Sequence, residues 1–212
     1  MRKQSEILEM MRVFEKLNEN PKCELDYKNA YTLLVAVVLS AQSTDKGVNK
    51  ATKALFEIAD TPQKMLELGL EGLKSHIKTI GLYNNKAKNI IKLSEELVQK
   101  YGGQVPQNRE DLESLAGVGR KTANVVLNVW FDEPTLAVDT HVFRISHRLG
   151  LSEGKTPLEV ETDLMKVLPE KYVKKANHWF VLFGRYTCKA LRPDCVNCPV
   201  KSYCKSGDKR AG

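Results

Sequence analysis

The residues of this chain best placed to do chemistry are four cysteines near its end and one lysine in its middle. The run "CKALRPDCVNCPVKSYC" sets Cys188, Cys195, Cys198 and Cys204 in a C-x6-C-x2-C-x5-C spacing. Thiolates this close in sequence form a ligand set for a soft metal centre. Disulfides are the weaker alternative. The start, "MRKQSEILEMMRVFEKL", mixes Glu with its basic residues and has no continuous apolar stretch, so a cytosolic chain with reduced thiols is expected. Zinc sites favour paired C-x2-C elements. Here there is one such pair, followed by Pro199 as in cluster-binding loops, so the spacing favours iron–sulfur and leaves zinc open. Cys23 stands apart and is expected to be a small buried apolar residue.

The lysine is Lys121, in "LAGVGRKTANVVL". A nucleotide-binding loop of the form G-x-x-x-x-G-K-[ST] would need glycine where Leu115 and Arg120 stand, so that chemistry is excluded. A helix lysine, a phosphate ligand and a nucleophile stay open. Gly117-Val118-Gly119 separates "EDLESL" from "RKTANVVL", both of helical character. Two glycines allow a tight turn whose N–H groups, at the start of a helix, can hold a phosphate. That describes a helix-hairpin-helix over about residues 109–128, which grips a DNA backbone without reading bases. A plain turn between two helices is the alternative. Eighteen residues after Lys121, Asp139 precedes "THVFRISHRL" in the position of a helix N-cap, and His141 has no assigned role.

The elements that must position these residues read as helices throughout. Ile7, Met10, Met11 and Phe14 make one apolar face, and Ile90, Ile91, Leu93 and Leu97 another. Tyr31 to Leu39 suits a buried core helix, and Val125, Val126 and Val129 fit helical spacing once Thr122 and Leu127 join them. Turn signals fall at Asn20-Pro21, Gly81, Gly102-Gly103, Pro106, Glu133-Pro134 and Gly150. The breaks near Pro21 and Pro134 divide the chain into a middle domain, 23–133, and a discontinuous one, 1–22 plus 134–212. An all-α fold of two domains is expected.

At 212 residues the chain can bury a real core, and no apolar run reaches membrane-spanning length. The net charge is +7, and it is unevenly placed. From Lys171 onward ten Lys and Arg face only Asp194 and Asp208, a surplus of eight that leaves residues 1–170 at −1. Basic charge is concentrated beside the cysteines. Lys189, Arg192, Lys201 and Lys205 can offset an anionic cluster and still meet a phosphate backbone.

Taken together, "LAGVGRKTA", then "VDTHVFR", then C-x6-C-x2-C-x5-C resemble the endonuclease III family of DNA base-excision glycosylases. The resemblance runs from about Tyr31 to Cys204, and "LLVAVVLSAQSTD" and "IGLYNNKA" are similar to the family's DNA-facing segments. It implies a helix-hairpin-helix DNA glycosylase fold with a C-terminal iron–sulfur cluster loop. It implies a [4Fe–4S] cluster on Cys188, Cys195, Cys198 and Cys204, Lys121 as nucleophile and Asp139 as essential carboxylate. Lys121 would stand on one wall of a cleft between the domains and Asp139 on the other.

The implied reaction is excision of damaged pyrimidines from duplex DNA, then lyase cleavage at the abasic site. Loss of a base develops positive charge on the sugar, which a carboxylate can stabilise, while an amine attacking C1′ forms an imine that a hydroxyl could not. A base must leave the stack before it can be cut out. The resemblance gives Gln42 and Leu82 the task of filling the gap, one by hydrogen bonding and one as a wedge. Gly117, Val118 and Gly119 hold the backbone. Without it, Gln42 reads as the end of a helix, and Gly81-Leu82 as a helix C-cap with its hydrophobic contact. The partner implied is double-stranded DNA containing damaged bases or abasic sites, met by a monomer in the cytoplasm at the nucleoid, with no membrane partner. Adenine-mismatch glycosylases share the hairpin, the Asp and the cluster but lack this lysine and usually carry a further C-terminal domain. A non-catalytic DNA-binding module with a structural metal is the other alternative.

Overall fold

In the computed structural model residues 2–207 are described; Asp208, Lys209 and Arg210 of the basic tail lie outside the described residues. Among the described residues there are ten α-helices, one 3-10 turn and no strand. None of these helices is long and apolar enough to cross a membrane. The chain forms two compact units, one made of Glu24–Asp132 and the other of the N-terminal segment through Cys23 together with the chain from Glu133 onward.

The middle unit is built around α2 (Ala30–Ser40), whose residues Tyr31 to Leu39 are all buried. A helix apolar on every side has to be central. It packs against α3 (Asp45–Ile58), α5 (Tyr83–Tyr101) and α7 (Arg120–Val129), while α4 (Pro62–Ile77) packs on α3 and α5, and α6 (Arg109–Ser114) on α7. Asn29 starts α2 by accepting from the Thr32 N–H at 2.9 Å, and the Thr32 hydroxyl accepts in return from the Asn29 N–H. α5 buries Ala87, Ile90, Leu93 and Leu97, leaving Ile91 half-buried. The Tyr31 hydroxyl and Ser94 Oγ lie 2.6 Å apart across the core, and burial pushes that phenol's pKa up.

The other unit packs α1 (Gln4–Leu17), α8 (Thr140–Arg148) and α9 (Pro157–Val167) against α10 (Glu170–Tyr186). Phe14, from the apolar face of α1, is the centre of an aromatic cluster. Its ring centroid lies 5.2 Å from Phe183, 5.6 Å from Phe180 and 6.2 Å from Trp179. Gly184 lets α8 and α10 approach closely, since a Cβ there would lie 2.8 Å from the Cβ of His141. Beyond α10 the chain becomes a loop of turns ending in the 3-10 turn Lys201–Tyr203, anchored by the fully buried Val200. Cys188, Cys198 and Tyr203 rest against the same core.

Candidate active site and cluster loop

The hairpin is built from short-range rules. Asn108 caps α6 by accepting from the Asp111 N–H at 2.9 Å, and Leu112, Leu115 and Val118 are buried. The turn closes where the Val118 N–H donates to the Leu115 carbonyl at 3.1 Å. α5 holds it from below: Glu96 accepts from the Ala116 N–H at 2.8 Å, and the Asn89 side chain lies so near Gly117 that a Cβ there would come within 2.8 Å of it. Gly117 has φ +77°, which glycine adopts freely. Gly119 differs. It has no positive φ, and a Cβ built on it would meet nothing within 4 Å. As N-cap of α7 it offers no side chain to the helix's first turn, so the open space in front of that turn suits something outside the chain. Lys121, second residue of α7, is exposed beside that opening.

Gln42 and Leu82 share an unusual backbone. Both are non-glycine residues in the left-handed region, at φ +57° and +59°, and both are exposed, Leu82 by 61%. Such conformations are unfavourable for residues with a Cβ and persist only where the surroundings impose them. Gln42 follows the C-cap Ala41 in the left-handed position that commonly ends a helix, so its backbone helps to end α2 while its side chain is exposed. Leu82 caps the start of α5 with its side chain turned to solvent, and Gly81 has no positive φ, so the C-cap reading of that pair is corrected. The two loops are neighbours: a Cβ on Gly81 would lie 3.8 Å from the Gln42 carbonyl oxygen.

Asp139 caps α8. Its Oδ1 accepts from both the His141 and Val142 N–H groups at 2.8 Å, and among the described residues its Oδ2 takes no hydrogen bond. One carboxylate oxygen is held and the other left available. The Nδ1 of His141 lies 3.2 Å from a guanidinium nitrogen of Arg144, which also donates to the carbonyl oxygens of Gly184 and Cys188. One turn later Arg148 donates to Cys188 Sγ at 3.3 Å and to the Lys189 carbonyl at 2.8 Å. α8 therefore carries the carboxylate at its start and two arginines that grip the first cysteine corner.

Cys188, Cys195, Cys198 and Cys204 line one cavity with Arg148, Pro193, Asp194 and Lys201. All are half-buried and none is in a disulfide. Burial pushes the Cys198 thiol up, the Val200 N–H pulls it back, and the other three cysteines push it up again because their thiolates would repel its own. Four thiols gathered around one cavity are a donor set that a cationic centre would bind as thiolates. Among the described residues no three His, Cys, Asp or Glu side chains converge as a single metal ion requires. Thiols are the donors both of an iron–sulfur cluster and of a thiolate zinc site. Cys23 is half-buried and not the buried residue expected.

Lys121, Gln42, Leu82 and the glycine turn thus fall in the middle unit, and Asp139 and the four cysteines in the other. The residues that position them were not singled out in sequence. Lys86 carried a signal: it shares the buried register of Ile90, Leu93 and Leu97, where a charge is out of place. Glu96, Asn89, Arg144 and Arg148 carried none, because each acts on a carbonyl, an N–H or a turn from a distant segment.

Residues 35–170 match a family model described as HhH-GPD superfamily base excision DNA repair protein. The endonuclease III of Rickettsia conorii is 57% identical over 195 residues, which is 92% of this chain and 93% of that protein. The chain belongs to the endonuclease III family. The Haemophilus influenzae endonuclease III is 54% identical over 202 residues, 95% of this chain and 96% of its own. A structure of a trapped endonuclease III–DNA covalent intermediate matches with a TM-score of 0.93 at 47% identity, covering 99% of both chains. A thermostable thymine-DNA glycosylase, 21% identical with a TM-score of 0.81, shares the fold. As a member of the endonuclease III family the chain is a base-excision DNA glycosylase and AP lyase. That family generally contains an iron–sulfur cluster.

Proposed function

We propose that the chain removes damaged pyrimidines from duplex DNA through an imine on Lys121 and then nicks the strand 3′ to the abasic site. The observation that carries this reading is the hairpin. Gly119 leaves the front of α7 open to a backbone phosphate, and Lys121 stands exposed two residues on, within reach of a sugar joined to that phosphate. As the C1′–base bond breaks, its electron pair leaves with the base, which takes up a proton, and the Asp139 carboxylate stabilises the positive charge on the sugar. The neutral Lys121 amine bonds to C1′, the ring opens, and a protonated imine forms. The imine acidifies C2′. Loss of that proton drives out the 3′ phosphate by β-elimination, and hydrolysis of the imine restores the lysine. A free lysine amine is protonated near neutral pH, so a proton must leave before attack, and the departing base is a suitable acceptor.

Gln42 and Leu82 fill the place of the extruded base; their exposed, left-handed conformations support this. Cys188, Cys195, Cys198 and Cys204 would hold a [4Fe–4S] cluster, whose four thiolates give it a charge of about −2 and which, once bound, fixes the basic loop in shape. Arg148, Lys189, Lys201 and Lys205 offset that charge. The partner is double-stranded DNA with a damaged base or abasic site, bound by a monomer at the nucleoid.

Borohydride reduction in the presence of abasic DNA tests the chemistry. The wild type is expected to become covalently linked and Lys121→Ala not; a wild type that never traps, or a Lys121→Ala that traps equally well, overturns the imine on Lys121. Visible absorption and iron analysis separate an iron–sulfur cluster from zinc.

A further inference from the structure

We infer that Lys86 is a positioning residue for the base-opening step: its buried ammonium holds the turn that carries Gln42 in its left-handed conformation, beside Leu82. The inference rests on the reading that these two side chains fill the gap left by the extruded base.

Lys86 is 6% exposed and sits one turn into α5. Its ammonium donates to the Leu39 carbonyl at 2.9 Å, to the Ala41 carbonyl, and to Ser43 Oγ at 3.2 Å. An ammonium has three N–H groups, so each donor has an acceptor. Those acceptors lie at the C-terminal end of α2, where carbonyl oxygens lack helical partners and the helix end is negative. Two of them, Ala41 O and Ser43 Oγ, stand on either side of Gln42. The backbone N–H at the same position makes the regular helical bond of the first turn of α5, to the Leu82 carbonyl at 3.1 Å, as any residue but proline would. The side chain of Lys86 therefore ties the Gln42 turn to the helix that Leu82 begins.

Packing does not account for a charge here. Among the described residues no carboxylate pairs with Lys86, and burial lowers its pKa, which shows that the charged form is held at a disadvantage. A methionine would fill the same volume with no charge to desolvate. What methionine cannot do is draw two carbonyl oxygens and a hydroxyl around one point and so fix the turn that carries Gln42. A loosened turn lets Gln42 relax toward ordinary extended backbone, and its side chain is then no longer held beside the Leu82 loop.

The test compares one lesion in two settings. A duplex carrying a single 5-hydroxycytosine is offered with the lesion paired to guanine or inside a mismatched bubble, where the base is already unstacked. Single-turnover excision by Lys86→Met is expected to fall at least about tenfold on the paired lesion and by less than about threefold in the bubble, since opening a stacked pair is the step that needs the loops. A general structural defect lowers both rates alike, and that result overturns the inference. Ser43→Ala removes a single acceptor on the same ammonium and is expected to show the same preference to a smaller degree; if Lys86→Met does not fold, an equal effect of Ser43→Ala on both substrates overturns it. Gln42→Ala and Leu82→Ala separate the two claims. If neither favours the bubble, the gap-filling reading fails; if both do and Lys86→Met does not, only the role of Lys86 fails.

Discussion

Gly117 and Gly119 look equivalent in the sequence and are not. Gly117 is required by its own fold, through φ +77° and the Asn89 side chain against it. Gly117→Ala is expected to lower stability by about 1–3 kcal/mol. Gly119→Ala meets neither obstacle and should change stability by under about 1 kcal/mol, the effect of a poorer N-cap. Its methyl would intrude on the phosphate, so DNA affinity should fall roughly tenfold, or about 1.4 kcal/mol; chemical denaturation and a binding titration on both variants check the contrast. Asp139 has a similar double nature. Asparagine caps as well as aspartate, so Asp139→Asn should stay within about 0.5 kcal/mol of the wild type yet lose about a hundredfold or more in excision rate, whereas Asp139→Ala should also lose about 1 kcal/mol with the cap. If Asp139→Asn keeps full activity, the cap is all the residue does. These types and their spacing could be read from the chain, but which glycine served the fold and which oxygen of Asp139 was left over could not, because both depend on neighbours brought in by α5 and α8.

Helices were the most legible level. The faces of α1 and α5 emerge almost as periodicity predicts, and Val126 and Leu127 are buried in a helix despite their strand-like neighbours. The apolar face of α1 ends in Phe14, whose ring meets three others, so Phe14→Ala should remove about 3–5 kcal/mol and be visible as a large drop in thermal midpoint. What periodicity could not reveal was α5 as a spine, with Lys86, Asn89 and Glu96 reaching the Gln42 loop, Gly117 and Ala116 from a single helix. Such links join a side chain to a backbone group far off in sequence and leave no local pattern. α10 carries a pH effect of its own. Burial lowers the pKa of His178, with Lys174 acting in the same direction. Its folded pKa is therefore below the unfolded value of about 6.5, the unfolded chain binds the extra proton, and stability is complete above that pH and declines as pH falls toward the folded pKa. Denaturation midpoints between neutral and mildly acid pH should show the decline in the wild type and less of it in His178→Gln.

For the whole molecule, charge and chemistry follow the same asymmetry along the chain. In sequence the surplus of eight positive charges from Lys171 onward spans the cysteine loop, where Lys189 and Arg192 are exposed. If each meets a phosphate, Lys189→Ala and Arg192→Ala should each reduce the salt dependence of DNA binding by about 0.9 in the slope of log affinity against log salt, with little effect on which base is removed. An unchanged slope would show that the loop does not face the backbone. The all-helical class and the family were legible because a lysine, a carboxylate and four thiols in that order are rare together. The positioning groups were not, because carbonyl oxygens and N–H groups are the same in every residue. The most direct measurement is to reduce the enzyme–DNA intermediate with borohydride, digest it with protease and nuclease, and locate the sugar remnant by mass spectrometry. The adduct is expected on Nζ of Lys121 and on no other amine. A remnant on another lysine or on the N-terminal amine, or an intermediate that still forms in Lys121→Ala, would contradict the account at its centre.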